Sequence, residues 1–285
     1  MSDEPKTKHI FYGNFNSDED AFQMKIAPMD EKTEPLFWQC VYSNVPEYYF
    51  FILDVKYEPA YSQVTLALDE KGRIAGMMLV YRNAMAQLRG SNEAIETLLA
   101  QLDLDKIMIT TPIEYSQFKL PAQYVVKQKP RGITLMTLRK GEETPLMRHD
   151  LVKLSVNDSE DIAALMRACD FDWLGEIDAK EIAERMSERI WLGIKAEGRL
   201  VAIGGVRIAD RASIINTVAT DRNFRCRGYA TSIVSALLDQ IMKKSSLALI
   251  NVETNNAPAI RVYTKAGFKP YKKFMVTKAE RTEEK

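Results

Sequence analysis

Arg225, Cys226, Arg227, Gly228, Tyr229 and Ala230 form the stretch of this chain whose residue types point most clearly to chemistry. An apolar, strand-like segment, Ile214 to Val218, precedes it, and a helix-like segment, Thr231 to Met242, follows. The first N–H groups of a helix have no partner inside it and carry the positive end of its dipole. Gly228 lets the backbone come close to an anion, and Arg222, Arg225 and Arg227 add positive charge at the same mouth. A strand, a loop of this composition and a helix start are suited to a pyrophosphate.

Two common pyrophosphate signatures are missing. No G-x-x-x-x-G-K-[ST] string occurs, and Gly204-Gly205 lies inside a strand pattern without the third glycine of a dinucleotide fingerprint. A second motif follows the first. Residues Asn256 to Phe268 read N-x-x-A-x-x-x-Y-x-x-x-G-F. Asn255 or Asn256 suits a helix cap, Pro258 is tolerated in a first turn, and Gly267 suits the left-handed residue that ends a helix. Ala259, Val262, Tyr263 and Ala266 share one helical face. The R-x-x-G-x-A loop resembles the acyl-CoA pyrophosphate loop of the GNAT superfamily of N-acetyltransferases. The second string resembles that superfamily's helix between its fifth and sixth strands. The resemblance spans roughly residues 150–278.

The elements that would carry these motifs read in order. Leu151 to Leu154 is a short strand, and Asp158 to Ala168 and Ala179 to Arg189 are helices. Trp191 to Ala196, Leu200 to Ile208 and Ala212 to Val218 are strands, the first two joined by a hairpin turn at Glu197-Gly198. A long helix places Ala230, Ile233, Val234, Leu237, Leu238 and Ile241 at helical spacing. The strand Leu247 to Val252, the Tyr263 helix and a last strand, Phe268 to Val276, complete the half. The N-terminal half repeats part of this order. It shows strands at Val64–Leu68, Ile74–Tyr81, Ala84–Arg89 and Ile107–Thr110, with a helix at Asn92–Leu102. Ala122–Gln128 and Ile133–Leu138 are expected to form a closing hairpin. Its counterpart of the phosphate loop, Arg89-Gly90-Ser91, keeps little of the pattern, and no Tyr-x-x-x-Gly-Phe string follows. Aromatic residues gather at Tyr48, Tyr49, Phe50, Phe51 and Tyr57, where core is the default reading.

Composition bounds the possibilities. The chain has 285 residues, 46% hydrophobic and 27% charged, which suits a soluble globular protein of two ordinary domains. Net charge is zero, which disfavours nucleic acid as the main partner. Three separated cysteines, Cys40, Cys169 and Cys226, suggest a reducing, cytoplasmic setting. The polar start MSDEPKTKH has no apolar core, so no signal peptide is expected. No run approaches the ~20 apolar residues that span a bilayer, so no membrane role is expected. His9 and His149 stand apart from any ligand-like cluster, so no metal is expected.

The resemblance implies a mixed α/β (α+β) fold of the GNAT acyl-CoA N-acyltransferase type. Two tandem domains are expected, similar to the glycine N-acyltransferase-like branch. Residues 1–147 would be a degenerate GNAT-like domain and 148–285 the catalytic one, with Lys140 to Asp150 as linker. It implies acetyl-CoA as co-substrate and direct attack by a small-molecule or peptide amine. Val218, Ala219 and Thr220 would pair with the pantetheine arm, the Val218 N–H polarising the thioester. Arg225, Cys226, Arg227, Gly228, Tyr229, Ala230 and Thr231 would hold the pyrophosphate, and Asn256 would reach the pantetheine or only cap its helix. Tyr263 would be the general acid. Many GNAT enzymes carry a glutamate on the fourth strand; here that strand reads A-S-I-I-N-T-V and holds no acid. Glu253 is the substitute candidate base, and Asp172 and Glu176 read either as acceptor contacts or as surface carboxylates. Phe171, Asp172 and Trp173 could instead wall the acceptor site, and Cys226 could be a reactive thiol. The N-terminal half could shape the acceptor site, cover a hydrophobic face or make a homodimer. Transfer of a longer acyl group to an amino acid, and a non-catalytic acyl-CoA-binding module, stay open as alternatives.

Overall fold

The computed structural model describes residues 24–170 and 177–282. The strands are β1 (Lys25–Pro28), β2 (Ser62–Leu68), β3 (Ile74–Tyr81), β4 (Met85–Gly90), β5 (Lys106–Pro112), β6 (Tyr124–Val126), β7 (Arg131–Arg139), β8 (Val152–Lys153), β9 (Ile190–Ala196), β10 (Arg199–Arg207), β11 (Ser213–Thr220), β12 (Leu247–Glu253) and β13 (Lys269–Arg281). The helices are α1 (Glu34–Ser43), α2 (Tyr49–Tyr57), α3 (Asn92–Leu99), α4 (Ser159–Cys169), α5 (Ala179–Arg185), α6 (Tyr229–Met242) and α7 (Ala257–Ala266).

The strands join into one continuous mixed sheet, ordered β1-β2-β3-β4-β5-β13-β7-β12-β11-β10-β9-β8. Local chemistry sets the hairpins. At the β9–β10 turn both Glu197 (φ 52°) and Gly198 (φ 75°) are left-handed, as the right-handed twist of a two-residue hairpin requires. At the β2–β3 turn the Asp69 carboxylate accepts the N–H groups of Lys71 and Arg73.

The centre of the sheet is not local. β7 pairs with β12 over the whole of Leu247–Glu253, while the last strand, β13, pairs with β5 and with β7. A strand of each half of the chain thus pairs with strands of the other half: β7 with β12, and β13 with β5. The expected hairpin between Ala122–Gln128 and Ile133–Leu138 does not form. β6 and β7 both lie antiparallel against β13, β6 beside Ala279–Arg281 and β7 beside Lys269–Val276. They are one interrupted strand. Pro130 has no N–H to offer at the interruption. A mutual hairpin would have left one edge of β13, which reaches Arg281, without partners. α5 also stops before the expected Arg189, passing into a 3-10 turn at Met186–Glu188.

Helices cover both faces. α6 and α7 pack on one face of the C-terminal half, with Ile233, Leu237, Ile241 and Ala266 against Val206, Ile215, Ile250 and Val252. α4 and α5 cover the other face around the buried Trp191. α3 serves one face of the N-terminal half and α1 with α2 the other. α2 also reaches across these pairings, since Tyr49 and Leu53 pack on Leu135, Ile214, Leu249 and Phe274.

At the end of α2 a buried charge cluster ties the halves together. Glu58 accepts from Arg207 at 2.7 Å, from Arg82 at 2.7 Å and from the Tyr81 hydroxyl, and Arg207 lies 3.7 Å from Asp54. Burial pushes the Asp54 carboxyl up to about 7, against the pull of Arg207. Burial alone would also raise Glu58, but its bonds to Tyr81 and Arg82 and the charge of Arg207 hold it below its ordinary value. The signs differ. Asp54 keeps a proton in the fold that the unfolded chain releases from pH 3.8, so stability falls as pH rises from there to about 7. The full fall corresponds to about 4 kcal/mol. Glu58 adds stability above its unfolded value of 4.5 and loses it as pH falls below that. We expect Asp54→Asn to match the wild type near pH 4 and to gain on it steadily up to pH 8 in urea titrations. A stability difference that stays flat with pH would show that Asp54 ionises freely in the fold.

Candidate active site

The site begins at a bulge. β11 pairs with β12 in parallel only through Ser213, Ile214 and Ile215. At that point the β10–β11 register slips, so that Gly205 faces Thr217 and Val206 faces Ile215, leaving Asn216 as the extra residue. A bulge bends its strand. Beyond it Thr217–Thr220 stay with β10, while Asn251–Glu253 stay with β7, and a wedge opens between β11 and β12. The Asp221 N–H bonds the Val201 carbonyl at 2.9 Å. By antiparallel alternation Ala219 and Thr217 then bond β10, and the peptide groups of Val218 and Thr220 face the wedge.

The loop from Asp221 to Gly228 closes one end of this wedge. The Asp221 carboxylate caps the short 3-10 turn by accepting from the Asn223 N–H at 2.8 Å. Phe224 is buried beneath the loop, with the guanidinium groups of Arg199 and Arg227 at 4.9 and 4.8 Å from its ring. Arg225 donates through Nε to the Thr220 carbonyl at 3.2 Å. Cys226 (φ 63°) and Gly228 (φ 85°) are both left-handed. The first helical bond of α6 runs from Ser232 N–H to the Gly228 carbonyl, so the N–H groups of Tyr229, Ala230 and Thr231 are not used inside the helix. Arg222, Arg225 and Arg227 are exposed around them. The set suits a group carrying several phosphate charges.

His149 had no cue in the sequence, yet it supports this loop. Its Nε2 lies 2.8 Å from the Arg227 carbonyl, and its ring meets Tyr229 edge-on at 4.6 Å. The linker that carries it is fixed along α6 by the Ser232 and Ser235 hydroxyls, which accept from the Arg148 and Leu146 N–H groups.

The other candidates lie beyond the wedge. The Asn256 carbonyl oxygen caps α7 by accepting from Ala259 N–H at 3.1 Å. Gly267 (φ 110°) ends α7, with Phe268 N–H returning to the Tyr263 carbonyl at 3.0 Å. The Tyr263 ring is buried in the apolar cluster against which Val218 packs, and burial raises its phenol above the ordinary value. Glu253 ends β12. Its carboxylate lies 2.9 Å from Arg131 of β7, which also forks onto Asp170 at 2.7 and 3.3 Å. Glu253 and Asn251 alternate with Ile250 and Val252, which face α6 and α7. Tyr263 and Glu253 therefore approach the wedge from opposite faces of the sheet. Phe171, Asp172, Trp173 and Glu176 lie outside the described residues. Among the described residues no group of His, Cys, Asp or Glu could hold a metal ion.

Residues 159–268 match the model of the acetyltransferase (GNAT) family. Among solved structures, a Drosophila protein superposes with a TM-score of 0.64 at 12% identity, over 88% of this chain and 97% of that one. A tandem GNAT protein from the clavulanic acid biosynthesis pathway gives 0.56 at 14% identity, over 92% and 100%. A GNAT-family acetyltransferase from Colwellia psychrerythraea gives 0.53 at 13% identity, over 90% and 100%. No curated protein sequence matches the chain. The chain has the GNAT acetyltransferase fold.

The N-terminal half has a similar pair of parting parallel strands without such a loop. β4 and β5 pair in parallel through only Met85, Ala86 and Gln87, as β11 and β12 do through three residues. Between β4 and α3, however, stands Ser91 alone, which caps α3 through the Ala94 N–H. Arg89, near the end of β4, is buried. It donates to the Leu88 and Glu47 carbonyls and lies 4.6 Å from the Phe274 ring.

Two left-handed glycines now separate by environment. A Cβ at Gly228 would come no closer than 3.5 Å to His149, whereas one at Gly267 would sit 2.3 Å from the Glu142 carbonyl. Gly228→Ala should therefore pay only the backbone cost of ~1–2 kcal/mol and lower Tm by several degrees. Gly267→Ala should lower Tm distinctly further by scanning calorimetry. Equal losses would show that the linker yields without cost.

Proposed function

We propose that this chain is an acyl-CoA-dependent N-acyltransferase, with acetyl-CoA as donor and an amine as acceptor. The observation that carries the reading is the wedge between β11 and β12, closed by the loop and by the N-terminus of α6. The outward peptide groups of Val218 and Thr220 suit an extended amide-bearing arm, and the loop suits its pyrophosphate. Bound there, the thioester supplies an activated acyl carbon.

The residues divide the work. Val218 N–H polarises the thioester oxygen. Ala219 and Thr220 line the arm, and Asn256 holds the turn beside it. Arg225, Cys226, Arg227, Gly228, Tyr229, Ala230 and Thr231 bind the pyrophosphate through backbone N–H groups and guanidinium charge. As the amine nitrogen bonds the acyl carbon and the C–S bond breaks, the Glu253 carboxylate takes the amine proton. Tyr263 gives its phenolic proton to the departing thiolate. Burial keeps that phenol in its protonated, donating form.

Residues 1–147 and 148–285 are read as tandem GNAT-like halves, the first without a cofactor site. The repeated order of elements and the paired wedges support this. Three free cysteines and a net charge of zero favour a reducing, cytoplasmic setting and a partner other than nucleic acid. Among the described residues no helix is long and apolar enough to cross a membrane. One observation favours a second reading, an acyl-CoA-binding module without turnover: the candidate base is held in an ion pair rather than left open.

Calorimetry and a free-thiol assay test both. The wild type should bind acetyl-CoA in the micromolar range, and Arg225→Ala with Gly228→Asp should weaken binding at least tenfold. Tyr263→Phe should keep that affinity while kcat falls on the order of a hundredfold. Absence of wild-type binding would end the acyltransferase reading, and unchanged turnover in Tyr263→Phe would remove the acid. Butyryl- and benzoyl-CoA in the same assay decide the acyl length.

A further inference from the structure

Arg131 belongs to the N-terminal half by sequence and to the C-terminal site by position. The pairing of β7 with β12 brings it there, because β7 begins beside Glu253 at the mouth of the wedge. The Arg131 side chain is 22% exposed, and its guanidinium forks onto Asp170 at the end of α4, with Nη1 also 2.9 Å from Glu253 Oε1. A fork onto one carboxylate fixes the plane of the guanidinium, and that plane then fixes the other carboxylate. The backbone adds to the restraint. Thr254 N–H donates to the Gly132 carbonyl at 2.8 Å, and the Thr134 and Thr254 hydroxyls lie 3.3 Å apart. β7 thus holds both the main chain after Glu253 and its side chain.

We propose that Arg131 is a positioning residue for Glu253, so that the half without a cofactor site completes the catalytic one. Asp170 orients Arg131, and Arg131 holds the Glu253 carboxylate toward the acceptor side of the wedge. The inference rests on the reading of Glu253 as proton acceptor. It accounts for the ion pair as a restraint on the base rather than as a sign of an idle one. The bonds of Arg131 to Asp170 and Glu253 involve neither the loop nor the start of α6, so Arg131→Met is expected to keep donor binding.

The test uses the full chain and kinetics with acetyl-CoA and the best amine from the assay above. Arg131→Met should lower kcat at least tenfold while the acetyl-CoA Kd stays within twofold of the wild type. Arg131→Lys, which keeps the charge and loses the fork, should recover part of kcat with an unchanged melting temperature. Glu253→Gln and the double variant Arg131→Met, Glu253→Gln should be equally slow, because Arg131 acts through Glu253. Wild-type kcat in Arg131→Met, or losses that multiply in the double variant, would overturn the proposal while leaving the acyltransferase reading intact. A wild type that binds acetyl-CoA and transfers to no amine would overturn both.

Discussion

The pairing of β7 with β12 is the constraint on which the site depends. β11 leaves β12 after Ile215, so a sheet relying on that contact would leave the main chain of Asn251, Val252 and Glu253 without partners. A buried peptide group without a hydrogen bond costs on the order of 1–3 kcal/mol. β7 supplies partners as far as Glu253, and β13 in turn supplies partners to β7 and β5. The wedge can open because the far side of β12 is already satisfied. An open pair of parallel strands is thus a stable feature of the native sheet, not a defect in it.

The same reasoning separates the two halves of the chain. Both have a strand pair that parts after three residues. What differs is the connection to the following helix: Asp221–Gly228 in one, Ser91 in the other. With a connection that short, no loop can turn N–H groups toward an anion, and Arg89 turns inward against Phe274 and Phe51. The proposed donor binding therefore depends on the loop grafted on the wedge and not on the wedge itself. The N-terminal half keeps its place through what it gives the other. It provides β7, the cover of α2 over Ile214 and Leu249, and the Glu58 and Asp54 carboxylates on Arg207.

What could be read from the sequence was local. The Glu197-Gly198 turn, the Asn256 cap, the Gly267 end of α7 and the loop before α6 each rest on residues within a few positions of one another. Hydrophobic alternation located nearly every strand, since it reports burial. It carries no information on which strand pairs with which, so Ala122–Gln128 and Ile133–Leu138 looked like a hairpin although each prefers the longer β13. The Asn216 bulge left no mark, because an exposed asparagine is ordinary anywhere on a strand edge. His149 and Arg131 escaped for a shared reason. Each acts on residues far along the chain, His149 on Arg227 and Arg131 on Glu253.

The geometry also bears on the order of events. Tyr263 lies under α7 on one face of the sheet, and Glu253 lies on the other, beside α4 and Arg131. On the proposed roles, the proton that Glu253 takes from the acceptor and the proton that Tyr263 gives to the thiolate travel on opposite sides of the acyl carbon. Neither group can do the other's task without crossing the sheet. A double-displacement route would ask one side chain to accept the acyl group and later release it from the same position. Cys226, the exposed thiol nearest the candidate phosphate site, sits in the loop at the outer end of the wedge, where the pyrophosphate would lie between it and the reacting centre. The proposed placement of acid and base on two faces instead suits a single step with donor and acceptor present together. It also gives β7 its significance, because the face that carries Glu253 is built from both halves of the chain.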